Sequence, residues 1–146
     1  MNPHPLDRPA HAALSTRHAG FAQTYGAARR YDPAIVPFAA AIGDPSDLTT
    51  LVQKGDVMAL VQAAPLKVPA GFTQELMGDL VQMLATGPVS APEDPRIQRL
   101  GPSDAVEMTA LAQATRPGPF TDRALDIGRF WGIRQGGHLV AMAGER

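Results

Sequence analysis

Thr115-Arg116-Pro117-Gly118-Pro119-Phe120, followed by Phe130-Trp131-Gly132-Ile133-Arg134-Gln135-Gly136-Gly137-His138-Leu139-Val140-Ala141-Met142-Ala143-Gly144-Glu145-Arg146, decides the fold. The first piece reads as a stiff turn closing a helix, because a residue before proline is pushed out of the helical region. The second reads as two short apolar strands, over 129–135 and 138–144, around Gly136-Gly137. Glycine reaches the positive backbone angles of a two-residue hairpin turn most easily. Leu139 to Ala143 is apolar on both faces and carries no charge, so it reads as an interior strand and not an edge. We expect it to be paired on its far side by a second copy, a second chain, or a strand near Val57–Val61.

Working back toward the N-terminus, Ala105, Met108, Leu111, Ala112 and Thr115 recur at helical spacing. Ser103 is the candidate cap, and Asp104 and Glu107 lie in the first turn, where carboxylates suit the helix dipole. Ile97-Gln98-Arg99-Leu100 alternates as a strand. A short second helix is expected from Thr121 or Asp122 to Leu125, stopped by Gly128. The order is therefore strand, helix, helix, strand, strand. Gly87 to Pro95 holds three prolines and a glycine without an apolar cluster and reads as a linker. It separates a small α/β unit, residues 1–90, from the unit 91–146, giving an α+β (mixed α/β) chain.

In the first unit, Asp7 and Pro9 predict a helix entry, with the helix running to about Arg17. Ala19 to Ala28 reads as a short strand or extended segment. A helix is expected over 46–54, capped by Gly55, and a buried strand over 56–62. Phe72 to Thr86 admits a helix, from the spacing of Leu76, Leu80, Met83 and Leu84. The alternative is a strand over 79–85, which we prefer; short apolar runs do not separate the two by period.

Composition bounds the function. Apolar residues make up 45% of the 146, and Gly and Pro number 14 each, which implies a globular chain rich in turns. The formal net charge is −1, and only Lys54 and Lys67 of the 13 basic residues are lysines. No basic block exceeds Arg29-Arg30, so nucleic acid is not the expected partner. There is no cysteine, which excludes disulfides, thiolate metal sites and cysteine nucleophiles and fits a cytoplasmic chain. No apolar run is long enough to cross a bilayer. His4, His11, His18 and His138 lack acidic partners at the spacing of helix-based metal motifs, so no metal site is expected.

Leu100-Gly101-Pro102-Ser103-Asp104, Ala114 to Phe120, Gly128-Arg129-Phe130, Gly132-Ile133-Arg134 and Leu139 to Arg146 together resemble the first half of a GNAT-superfamily N-acetyltransferase domain. The resemblance is strong over 97–146. Residues 1–90 are similar, more weakly, to the N-terminal extension of one bacterial branch, and can be read as a degenerate half of the same fold. The resemblance implies a mixed sheet split like a V with acetyl-CoA in the cleft. It implies direct acetyl transfer to an amine, a small molecule or peptide, with backbone N–H groups stabilising the oxyanion. The family's Gly-rich pyrophosphate loop, Arg/Gln-x-x-Gly-x-Gly/Ala before a helix, does not occur in these residues. No cofactor-binding residue is therefore expected within the chain, and acetyl-CoA is expected to bind it poorly. A non-catalytic binding or regulatory module, or a truncated gene product, are the other readings.

Three residues are candidates for the acceptor wall: Thr115, Arg116, which can meet a carboxylate, and Phe120, which can pack on the acceptor. The competing reading makes Pro117-Gly118-Pro119 a plain helix stop with Phe120 in the core. Glu145 is a weak catalytic candidate, as a proton acceptor at a strand end. The competing reading is a solvated acid paired with Arg146 or Arg134. Trp131 alternates with Phe130, so one of the two faces the core; an exposed Trp131 would mark a partner surface.

Overall fold

A computed structural model describes residues 4–75, 78–91 and 93–145. It divides into two compact units. One comprises residues 1–33 and 37–84, the other residues 34–36 and 85–146.

In the first unit, α1 (Pro9–Leu14) is followed by β1 (Ala22–Tyr25), β2 (Ala28–Tyr31), β3 (Phe38–Ala41) and β4 (Ala59–Leu60). The four strands form one sheet in the order β1-β2-β3-β4, antiparallel except for the parallel β3–β4 pair. Pro9 starts α1, and Asp7 serves the preceding turn, where its carboxylate accepts the His4 N–H at 2.9 Å. The helix stops at Leu14, one turn earlier than expected. The core gathers Ala28, Ala39, Ala41 and Leu48, with Leu51, Met58, Leu60 and Phe72 against it.

Three expectations for this unit do not hold. The stretch 46–54 forms a 3-10 helix, Pro45–Leu51, and not an α-helix. Only Ala59–Leu60 of the strand expected over 56–62 is extended and paired. Asp56 is drawn into a turn instead: its carboxylate accepts from Arg30 at 2.8 Å and from the Gln53 N–H at 3.2 Å. Finally, residues 78–91 form no regular element, so the preferred strand over 79–85 is not there. Leu80, Val81, Met83 and Leu84 are exposed, and a strand without a neighbour has no ladder to hold it. Leu76, on which the helical alternative draws, lies outside the described residues.

The second unit holds β5 (Gln98–Leu100), α2 (Ala105–Thr115), β6 (Phe130–Gln135) and β7 (His138–Gly144). The strands form an antiparallel sheet, β5-β6-β7. Its core is Leu100, Met108, Ala124, Phe130 and Leu139, with Leu111, Phe120, Leu125 and Met142 packed around it. Burying a side chain such as Met108 or Phe130 contributes about 1.5–3 kcal/mol. Gly132 lies between two of these side chains: a Cβ there would sit 2.6 Å from Leu139 Cδ1 and 2.9 Å from Leu100 Cδ1.

Gly136 and Gly137 make the hairpin turn with φ of 59° and 84°. Between Ile133 and Arg134 the register slips, Ile133 facing Ala141 and Arg134 facing Leu139. The extra residue is Val140. The strand therefore carries a bulge, a device that blunts edges, where the sequence shows none. Among the described residues β7 pairs with β6 alone.

Ser103 does not cap α2. It lies in a 3-10 turn, Pro102–Asp104, whose Asp104 carboxylate takes the Gly101 N–H at 2.8 Å. The short second helix shrinks to a 3-10 turn, Ala124–Asp126. Both candidate caps are engaged elsewhere: the Thr121 hydroxyl donates to the Ile35 carbonyl at 2.6 Å, and Asp122 accepts from the Thr109 hydroxyl at 2.8 Å. The Thr121 bond anchors the buried Ile35 and Val36 in this unit.

Candidate functional site

The helix α2 ends because Pro117 disfavours the right-handed conformation at Arg116. Arg116 turns left-handed instead, with φ 50° and ψ 55°, and its N–H donates to the Ala112 carbonyl at 2.8 Å. Among the described residues it is the one non-glycine residue with positive φ. Such a residue costs about 1–3 kcal/mol and persists when its surroundings hold it. Pro117, Gly118 (φ 113°) and Pro119 then carry the chain to Phe120.

Phe120 is half-buried, and its ring meets Phe130 edge-to-face with centroids 5.8 Å apart. Both readings of this residue thus describe part of what it does, since it packs on the core and shows a face outward. That face, with Arg116, Gly118, Thr109, Ala112 and Gln113, lines an open depression of about 270 Å³. Thr115 is not among the lining residues. It is exposed, and its hydroxyl donates back to the Leu111 carbonyl at 2.8 Å.

Glu145 is exposed just past β7, and its N–H donates to the Arg129 carbonyl at 2.9 Å. It lines neither this depression nor the second one. The suggested pairing with Arg134 does not occur, because Arg134 is held by Asp104, at 2.6 Å, and Glu107. Asp104 is held below the usual carboxylate range, first by the Gly101 N–H and then by Arg134. Arg134 is raised, first by Glu107. This clamp joins the start of α2 to the hairpin, where Arg134 also donates to the Gly137 carbonyl at 3.1 Å. Arg146 lies outside the described residues.

The same clamp bears on cofactor chemistry. Gly101 to Ala105 is a strand-to-helix turn, the place where a phosphate would sit. Here the Gly101 N–H is already taken by Asp104, and Glu107 adds a second carboxylate. The Gly101 N–H is therefore not available to a phosphate at this turn.

Phe130 faces the core at 4% exposure and Trp131 faces outward at 38%. Trp131 sits in a second depression, of about 580 Å³, with Ala91, Glu93, Asp94, Pro95 and Ile97. Three of the four histidines, His4, His11 and His18, are engaged by nearby groups. His4 caps a turn, His11 Nδ1 lies 3.4 Å from the Ser15 hydroxyl, and His18 Nδ1 shares a 2.8 Å bond with the Tyr31 hydroxyl. Among the described residues no group of three or more His, Asp or Glu side chains converges on a point. No helix among them is long and apolar enough to cross a membrane.

Over 99% of its length the chain matches the crystal structure of a Novosphingobium aromaticivorans protein assigned to the GNAT family of acetyltransferases, with 41% identity and a TM-score of 0.85. The chain belongs to the GNAT family. It spans 65% of that relative's length. No family model matches this GNAT chain, and no curated protein does. The family generally uses acetyl-CoA, and the mixed α/β architecture with two sheets is GNAT-like. Sequence reasoning singled out Arg116 and Phe120; it did not reach Thr109 and Gln113. Their signal was present in the helical spacing, one and two turns before Arg116 on α2.

Proposed function

We propose that the protein to which this chain belongs is a cytoplasmic acetyl-CoA-dependent N-acetyltransferase, and that Arg116 and Phe120 form part of the wall that receives the amine. The observation that carries this reading is the 41% identity, over 99% of the chain, to a protein assigned to the GNAT family. The depression beside α2 supports it locally: a fixed cation, an apolar ring and the Gln113 amide surround an opening suited to a small polar acceptor. Thr115 serves this wall through the backbone, by closing the last turn of α2. Glu145 remains the candidate proton acceptor. The Gly101 N–H is taken by Asp104, which supports placing the pyrophosphate away from the start of α2. We assign the open edge of β7 as the site of a further strand, from a second chain or a second copy.

The test is release of free coenzyme A from acetyl-CoA by the full-length protein, followed with a thiol reagent across a panel of amines. The chain contributes no cysteine thiol to the background. Amine-dependent release is expected. Release that no amine raises above hydrolysis, together with no acetyl-CoA binding by the full-length protein, would favour the non-catalytic module.

A further inference from the structure

We infer that the acceptor is an amine that also bears a carboxylate, on an apolar body of amino-acid size; this rests on the acetyltransferase reading above. Among the described residues Arg116 is the only charged side chain lining the depression beside α2. Among the described residues it has no ion-pair partner, whereas Arg123 pairs with Asp126, Arg134 with Asp104 and Arg30 with Asp56. An arginine fork recognises a planar carboxylate with two parallel hydrogen bonds.

The backbone that presents this fork is preorganised. Arg116 is held left-handed between a 2.8 Å bond to Ala112 and the Pro117-Gly118-Pro119 turn, so binding orders less chain than a mobile loop would require. Phe120 is braced by Phe130, and with Ala112 and Gly118 it contributes apolar surface to the depression. Its uncharged polar lining residues are Gln113 and Thr109. Behind Thr109 stands a carboxylate, Asp122, which accepts its hydroxyl proton at 2.8 Å. That bond leaves the Thr109 oxygen lone pairs for an ammonium and puts a negative charge on that side. Positive charge at Arg116, negative charge behind Thr109 and an apolar wall complement an amino-acid-like zwitterion. The volume of about 270 Å³ lies below the ~300–1,000 Å³ typical of sites for drug-sized ligands, which favours a small acceptor.

The experiment compares phenylalanine with phenethylamine, which lacks the carboxylate, on the full-length protein by ligand-observed NMR and calorimetry. Wild type, Arg116→Gln and Arg116→Lys are used, each checked for unchanged melting. Phenylalanine is expected to bind on the order of tenfold more tightly than phenethylamine. Arg116→Gln should erase that preference, and Arg116→Lys should retain part of it. Equal binding of the two compounds, binding of neither, or a preference that survives Arg116→Gln overturns the inference. The same pair is then offered with acetyl-CoA. Selective binding without acetylation would overturn the transferase reading and leave the carboxylate site standing.

Discussion

Replacing Arg116 by glycine and, in parallel, by alanine separates the strain at this position from the work of its side chain. Arg116 occupies the left-handed region at φ 50° because Pro117 bars the helical one. For a residue with a Cβ that conformation costs about 1–2 kcal/mol; for glycine it costs nothing. Against this, glycine loses more freedom on folding, by roughly 0.5–1 kcal/mol relative to alanine. The two terms leave glycine ahead of alanine by about 0.5–1 kcal/mol. Both variants keep the backbone bond from residue 116 to Ala112 and both lose the guanidinium, so the difference isolates the backbone. For a chain of this size 1 kcal/mol moves the melting temperature by about 2–4 °C, so Arg116→Gly should melt about 1–4 °C above Arg116→Ala. Far-UV circular dichroism during a thermal ramp measures it, with urea unfolding to confirm that the slope against denaturant is unchanged. An alanine variant equal to or more stable than the glycine variant would refute the strain argument, and with it the claim that Arg116 is held in place.

At Gly132 an added methyl would lie 2.6 Å from Leu139 Cδ1 and 2.9 Å from the Ala141 carbonyl oxygen, a backbone atom that cannot step aside. Gly132→Ala should therefore cost about 1–3 kcal/mol in urea unfolding, and adding Leu139→Ala should not restore the loss. Phe120→Ala should destabilise the unit by about 2–4 kcal/mol through lost packing on Phe130, read as a lowered urea midpoint; an unchanged midpoint would put the ring outside the core. Asp94 is held at about 2, first by the Arg96 guanidinium and then by the Arg96 N–H. A depressed carboxylate stabilises the fold above its unfolded pKa, and that contribution fades as pH falls from about 4 through about 2. NMR titration of Asp94 should show the low midpoint and Arg96→Ala should raise it; because the pair is exposed, the change in stability should be small.

Some of the fold is legible in short stretches. Gly136-Gly137 between apolar runs specifies the hairpin, because its turn depends on two backbone angles that neighbouring residues supply. Pro117 specifies the end of α2 for the same reason, and Leu100, Met108 and Phe130 announce their burial by period. The depression beside α2 was half legible: Arg116 and Phe120 stand out beside the prolines. Thr109 and Gln113 are marked only by their helical spacing from Arg116, and they join it because the helix brings its preceding turns alongside the loop.

What required the tertiary structure is whatever depends on a distant partner. The run 79–85 has strand-like residues but no neighbour to pair with, and it stays exposed. Asp56 leaves its expected strand because Arg30, far back in the chain, takes its carboxylate, and Thr121 caps no helix because its hydroxyl reaches Ile35. Glu145 loses Arg134 to Asp104 and Glu107. The sequence by itself determined the hairpin turn, the helix stop and the places of β5, α2, β6 and β7, while the second short helix it suggested is a 3-10 turn. Only the tertiary structure decided which charges pair and which strands find a ladder, because hydrogen bonds and ion pairs form between whichever groups folding brings within about 3 Å, whatever their separation along the chain.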